Sequence, residues 1–412
     1  MNFVKSKKIL HQGQYGFQER LSTSLALMEL TEEITTSMDQ SKHTLGVFID
    51  LKKAFDTIDH KILVGKLMNY GIRGIAIKWI ASYLNNRSQF VSINNVESEK
   101  QTIVCGVPQG SVLGPSLFIL YVNDMGDASS VLKSILFADD TNLFYTGRNI
   151  TEMCNIVTKE LEHLNQWFMV NKLSLNVEKT NFMIFSNGHI TGDHRVIING
   201  NIIGRVYTTK FLGVHIDAKL TWDEHIRRVK TTISKNISVM FKLKYVLNNK
   251  SMYSLYCSLI LPYLNYCNII WGNNYVAKID TLIKLQKRAL RIVANVEYLG
   301  HTKPIFIQYN TLRLDDLIKL NSMCLMFKVI NNMLPDNLSK YFVRVNMTHD
   351  YQTRQCNNMQ IQFCRTTKRS YAISVLGPKI WNQLPDKLRS INQFYNFKVH
   401  YKRFLLKLYS AI

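Results

Sequence analysis

Phe137-Ala138-Asp139-Asp140 places two adjacent carboxylates between two apolar runs, with Val131, Leu132, Ile135 and Leu136 before it and Leu143, Phe144 and Tyr145 after it. Short apolar runs on either side of a polar break predict two strands joined by a turn, a β-hairpin with acids at its tip. Neighbouring carboxylates repel one another, and a divalent cation removes that cost. Magnesium takes oxygen ligands and usually sits between one or two carboxylates and substrate phosphates. Taken alone, such a pair more often marks a solvated acidic turn, since charge in turns is common. The rest of the chain has to separate the two readings.

Working outward, the next acid of interest is Asp50. Leu45 to Ile49 reads as an apolar strand ending on it, and Asp50-Leu51-Lys52-Lys53-Ala54-Phe55-Asp56 follows. If the two strand systems are neighbours, Asp50, Asp139 and Asp140 meet at one edge. Three carboxylates so arranged suit a pair of metal ions about 4 Å apart, acting on the attacking and leaving oxygens of an in-line displacement at phosphorus.

Around these acids the first part of the chain mixes strands and helices. His60 to Tyr70 and Ile75 to Leu84 have helical spacing, interrupted by Gly71 and Gly74. Gln89 to Ile93 and Thr102 to Val104 read as short strands. Gly106-Val107-Pro108-Gln109-Gly110 reads as a loop, with Ser111 capping a helix toward Asp124. Thr151 to Val170 reads as an amphipathic helix capped by Thr151, and Phe182 to Phe185 and Phe211 to Val214 as strands. From Trp222 the pattern turns helical: Trp222 to Val246, Ser251 to Trp271 with a kink at Pro262, Lys278 to Val296 and Leu312 to Met333.

Charge divides at the same place. The 412 residues carry a net charge of +22. Residues 1–218 hold 21 Lys and Arg against 20 Asp and Glu, whereas residues 219–412 hold 30 against 9. A boundary near residue 218 therefore separates a nearly neutral part from a strongly basic one, the footprint of a polyanion partner. Arg227-Arg228-Lys230, Lys284-Lys287-Arg288-Arg291 and Lys402-Arg403-Lys407 are the densest clusters. The second has i, i+3, i+4 and i+7 spacing, one basic stripe on a helix. No apolar run of membrane-spanning length and no secretory signal is read, so no membrane partner is expected. Seven scattered cysteines without a Cys-x-x-Cys pair indicate a reducing compartment and buried thiols, and their spacing does not support a structural zinc.

Several segments then resemble one family in order. Val47-Phe48-Ile49-Asp50 through Asp56, Gly106 through Pro115 and Phe137-Ala138-Asp139-Asp140 resemble the first three palm motifs of reverse transcriptases from non-LTR retrotransposons. Trp167, Asn171, Leu173, Leu175, Asn176, Lys179 and Thr180 resemble the next motif, Phe211-Leu212-Gly213-Val214 the primer-grip strand, and Gln14-Tyr15-Gly16-Phe17 with Ser22-Thr23 the segment before the palm. The similarity runs from about residue 14 to 214 and is nearest to the jockey-like elements of insects.

That resemblance implies an α+β right-hand polymerase fold. A palm of antiparallel sheet and packed helices, with partial fingers, would occupy residues 1–218. A basic helical thumb and C-terminal extension would occupy 219–412. It implies an RNA-directed DNA polymerase that adds deoxynucleotides to a primer 3′-hydroxyl on an RNA template, with two magnesium ions or manganese in their place. Asp50, Asp139 and the Leu51 carbonyl would hold the metals, with Asp140 supporting. Phe55 would sit beneath the sugar and exclude a 2′-hydroxyl, although its ring could equally be core. Gln109 and Gly110 would lie against nucleotide and template, and glycine permits that close approach. Lys179 would assist the departing pyrophosphate or stand solvated. Phe211, Leu212 and Gly213 would hold the primer, although the first two could equally be core. Such elements act at nicked chromosomal DNA, which implies a nuclear protein. The chain also reads as truncated at its start, lacking an endonuclease and the finger strands. A nucleic-acid-binding relic without turnover is the alternative.

Overall fold

The computed structural model describes residues 2–347 and 358–410. They form two compact units, Met1–Ala26 with Ser41–Tyr207, and Leu27–Gln40 with Thr208–Ile412. The fold is α+β, with most of its strand in the first unit and mostly helix in the second.

The first unit is built on a five-stranded sheet. Its strands are β1 (His43–Ile49), β2 (Lys133–Phe137), β3 (Asp140–Gly147), β4 (Asn181–Phe185) and β5 (Gly204–Arg205), in the order β5-β4-β1-β3-β2. All neighbours are antiparallel except β4 and β5. β1 lies in the middle and is buried on both faces, which is why it reads as a continuous apolar run. Leu45, Val47 and Ile49 alternate into the main core with Leu143, Phe182 and Ile184. On the other face Phe48 meets Phe144 edge-on, 6.1 Å between centroids. Gly46 lies beneath these rings, where a Cβ would come within 2.7 Å of Phe144.

Helices cover the core face. Most of α1 (Thr23–Asp39) belongs to the second unit rather than to this one. It has no strong one-sided pattern, and the sequence reading assigns no helix there. α2 (His60–Asn69) is capped by Asp59, whose carboxylate accepts from the Lys61 and Ile62 amides. α3 (Gly114–Tyr121) is almost wholly buried. It starts three residues after Ser111, whose hydroxyl accepts the Gly114 amide at 3.0 Å, and beyond Tyr121 the chain passes through Asp124 in a 3-10 helix, Asn123–Ala128. α4 (Ile150–Val170) packs Val157, Leu161, Leu164 and Phe168 on the core. Its cap is Asn149, which accepts from the Thr151 and Glu152 amides, rather than Thr151. An Asn two residues earlier satisfies the free N–H groups of the first turn, that of Thr151 among them, and the hydroxyl is not needed.

In the second unit, β6 (Thr208–Phe211) and β7 (Val214–Asp217) form a hairpin. Phe211 to Val214 is thus the turn and its flanks, not a strand. Leu212 and Gly213 both have positive φ, 45° and 79°, the backbone of a two-residue hairpin loop. Long helices follow: α5 (Asp223–Leu243), α6 (Val276–Ala294), α7 (Leu314–Ile330) and α8 (Phe394–Ser410). The expected kinked helix from Ser251 to Trp271 is three pieces, Asn249–Leu259, Leu261–Asn265 and Asn268–Trp271. Pro262 stands in the first turn of the middle piece, where its missing N–H costs nothing. Trp381, 3% exposed, packs 5.5 Å from Phe397, as a packing anchor should.

All six described cysteines are unbridged; Cys154, Cys267 and Cys324 are buried, whereas Cys105 is exposed, and Cys356 lies outside the described residues. No described helix is long and apolar enough to cross a membrane.

Candidate active site

The hairpin of β2 and β3 closes with Phe137 opposite Asp140, leaving Ala138 and Asp139 as its two turn residues. Ala138 has a φ of +58°. An L-residue in that region costs roughly 1–2 kcal/mol, and such strain gathers at functional sites. Asp139 and Asp140 are exposed. β1 runs antiparallel to β3 with Ile49 opposite Thr141, so the next step along the two strands leads to Asp50 and Asp140. The sheet therefore brings the three predicted acids to one edge.

Asp50 is half-buried, and its amide, its carbonyl and one carboxylate oxygen meet a single turn. Its carbonyl accepts from the Asn176 amide at 2.9 Å, and its carboxylate Oδ2 accepts from Asn176 Nδ2 at 2.9 Å. Its own amide faces the Thr180 hydroxyl at 3.4 Å, and that hydroxyl donates to the Asn176 carbonyl at 2.9 Å. Leu51 pairs with Leu175 in a short two-stranded ladder that begins the same turn. Lys179 is an exposed residue of this turn. Asn176 is the positioning residue that sequence reasoning passes over: its motif is visible, but its bond to Asp50 spans 126 residues.

The second predicted loop is tied to the first. Val107 donates to the Phe55 carbonyl at 2.9 Å and Gly106 to the Ile58 carbonyl at 2.8 Å. Gly106 has φ +86°, and a Cβ there would stand 2.8 Å from the Asp56 carbonyl oxygen, so only glycine fits. Gln109 Nε2 donates to Asp56 Oδ1 at 2.8 Å. Gln109 and Gly110 are exposed. Gly110 also has positive φ, 75°, but open space around it, so backbone conformation rather than crowding asks for glycine. Phe55 is half-buried and stacked on Phe118 at 4.2 Å between centroids.

Among the described residues, no three His, Cys, Asp or Glu side chains gather closely enough to hold a metal ion unaided. The donor set at the edge, Asp50, Asp139 and Asp140, is all oxygen and two of its members face solvent. It fits a hard cation such as magnesium, which keeps several sites for water and substrate phosphate instead of a full protein cage.

The predicted primer grip lies in the second unit. Phe211 and Leu212 are buried, 3% and 9% exposed, so their side chains serve the core. The Leu212 carbonyl accepts from the Tyr266 hydroxyl at 2.7 Å. Beside this turn, Lys210, His215, Arg227, Arg228, Tyr263 and Tyr266 help to line a cavity of about 680 Å³. Glu224 binds both arginines, accepting from Arg227 at 2.8 and 2.9 Å and from Arg228 at 2.6 Å. Their net contribution is then one positive charge, not two. His225 is 5% exposed in the same wall. Burial, with a smaller push from His215, pulls its pKa down to about 4. A groove of about 800 Å³ farther along this unit includes Lys287, Arg291, His301 and Lys303 and no carboxylate among its lining residues. Lys284, of the same predicted stripe, pairs with Asp280 at 2.9 Å.

The family model described as reverse transcriptase (RNA-dependent DNA polymerase) matches residues 1–216. A probable RNA-directed DNA polymerase from transposon BS of Drosophila melanogaster is 28% identical over 320 residues, 72% of this chain and 34% of that protein. The RNA-directed DNA polymerase from mobile element jockey of the same species is 26% identical over 346 residues, 81% of this chain and 37% of that protein. The chain thus spans about a third of the length of these curated relatives. Apo telomerase from Candida tropicalis aligns over 77% of this chain and 53% of its own at 13% identity, with a TM-score of 0.42.

Proposed function

The chain belongs to the reverse transcriptase (RNA-dependent DNA polymerase) family, and from that premise we propose that it extends a DNA primer on an RNA template. The observation that carries the reading is the convergence of Asp50 and the Asp139-Asp140 turn on one sheet edge, inside the segment that the family model matches. In this reading residues 1–218 carry the palm and residues 219–412 the thumb and extension.

Asp50, Asp139 and the Leu51 carbonyl would hold two magnesium ions, with Asp140 in support. Bound there, the ions would make the primer 3′-hydroxyl more acidic and neutralise charge on the departing oxygen. Asn176 keeps one oxygen of Asp50 engaged and so fixes which oxygen faces the cation. Phe55, rigid against Phe118, bounds the sugar and leaves no room for a 2′-hydroxyl on the deoxynucleoside triphosphate. Gln109 is anchored to Asp56 and presents the loop backbone, with Gly110, to the nucleotide and template. Lys179 stands exposed on the Asp50 turn, placed to screen the leaving pyrophosphate. Leu212 and Gly213 would meet the primer through backbone, since the Phe211 and Leu212 side chains are buried. The cation-lined cavity and groove of the second unit supply phosphate contacts without sequence preference, which weaken with salt.

The test is extension of an end-labelled DNA primer on an RNA template in magnesium, beside Asp139→Ala. Extension that the substitution removes supports the reading. Salt-sensitive binding of primed template with no extension by the unaltered chain would overturn it in favour of a binding relic.

A further inference from the structure

Residues 13–17 form a strap laid directly on the acidic hairpin. Gln14 bridges Leu136 of β2 in parallel. The Tyr15 amide donates to the Leu136 carbonyl at 2.7 Å, and the Leu136 amide to the Gly13 carbonyl at 2.8 Å. The Gln14 side chain is wholly buried. Its Oε1 accepts from the Gly16 amide at 2.8 Å and faces the amide of Ala138, the turn residue before Asp139, at 3.4 Å. A Cβ on Gly13 would fall 2.3 Å from the Ser134 carbonyl oxygen, and one on Gly16 2.4 Å from the Ala138 nitrogen. Strap and hairpin are therefore in backbone contact, and glycine at both places makes that contact sterically feasible.

The strap ends on Phe17, which core packing does not explain. Its ring is 52% exposed, and its φ is +53°, a conformation that bulky residues rarely adopt. Strain of this kind is retained where surrounding structure demands it. Here the ring stands edge-on to Phe55, 6.4 Å between centroids at 89°. Phe55 in turn stacks on the fully buried Phe118, 4.2 Å apart at 17°. Phe55 thus has a fixed floor and one side wall, and the wall is carried by the same five residues that grip the turn before Asp139.

We infer that Phe17 is a specificity-determining positioning residue: it fixes the Phe55 ring relative to the Asp139 turn, and so sets how strictly a 2′-hydroxyl on the incoming nucleotide is refused. The inference rests on the reading of Phe55 as the boundary of the sugar site. Without Phe17 the ring can swing toward the vacated side, and space opens where the 2′-hydroxyl would lie. An edge-on aromatic pair shifts an equilibrium by about three- to tenfold, which sets the size of the effect.

The experiment uses the full chain as wild type, Phe17→Ala, Phe17→Tyr and Phe55→Val. Two quantities are measured for a deoxynucleotide and its matching ribonucleotide. One is kcat/KM for a single addition to primed RNA template. The other is equilibrium affinity for the complex whose primer ends in a dideoxynucleotide, which needs no turnover. Phe17→Ala is expected to lower the deoxy-to-ribo ratio about three- to tenfold in both, chiefly by admitting the ribonucleotide. Phe17→Tyr restores it, and Phe55→Val lowers it at least as far. Thermal melting confirms folding, and the half-exposed ring predicts little change there. A wild-type ratio in Phe17→Ala, with a lowered one in Phe55→Val, would overturn the inference and leave the Phe55 reading standing. An unchanged ratio in Phe55→Val would overturn both.

Discussion

Asn176 and Asp50 are joined side chain to side chain, Nδ2 of one donating to Oδ2 of the other at 2.9 Å. The same asparagine donates its backbone amide to the Asp50 carbonyl at 2.9 Å. A metal-binding carboxylate steered this firmly should lose function when the partner goes. Groups that orient metal ligands are typically worth about ten- to a hundredfold. Asn176→Ala is expected to slow single-nucleotide addition by that amount while primed-template binding is kept. Asn176→Asp, which sets a like charge against Asp50, should raise the magnesium concentration needed for half-maximal rate. Wild-type rates in both variants would remove Asn176 from the account.

Arg369 and Glu32 form a buried ion pair in the second unit, 5% and 1% exposed. Arg369 also donates to Thr35 at 3.2 Å and Gln362 at 2.8 Å. Glu32 accepts in addition from the Ser374 amide at 2.9 Å and hydroxyl at 2.7 Å. Removing one partner strands the other charge in the interior, which costs about 3–5 kcal/mol. Arg369→Met should lower unfolding free energy by that amount in denaturant titration, and adding Glu32→Gln should recover part of it. A loss for Arg369→Met within about 0.5 kcal/mol, as at an ordinary surface site, would contradict this.

His225 gives the second unit an acid-sensitive wall. Its pKa is pulled from the ordinary 6.5 to about 4, by burial first and by His215 second. The folded state therefore binds fewer protons than the unfolded state between those values. The stability tied to the neutral ring is fully present above about pH 6.5 and disappears as pH falls toward 4, to a limit of about 3 kcal/mol. His215, 6.5 Å away between ring centroids, is shifted in the same direction, also by burial first. His225→Phe should flatten the dependence of melting temperature on pH across that window. An unchanged acid limb would show that other groups set it.

The sheet edge is legible because short apolar runs flank its acids, and a central strand such as β1 has little choice but to be apolar throughout. The hairpin tip at Asp139 and the strand end at Asp50 were readable for the same reason. Contacts between distant segments were not. Asn176 reaches Asp50 across 126 residues, and Gln14 reaches Ala138 across 124, so neither bond leaves a local pattern. α1 leaves no one-sided pattern because it is apolar on more than one side, and it pairs Glu32 with a residue 337 positions away. The turn at Leu212-Gly213 reads as strand because apolar residues flank it, and the positive φ at Leu212 has no composition signal.

The central claim is that Asp50 and Asp139, brought from separate strands to one edge, hold the ions that drive nucleotide addition. The direct test is the rate of a single addition to primed RNA template in magnesium for Asp50→Asn and Asp139→Asn, measured beside template affinity. Each substitution keeps size and removes one charge. Loss of several kcal/mol of transition-state stabilisation, about a thousandfold in rate, is expected in each with affinity unchanged. A wild-type rate in either variant would contradict the account.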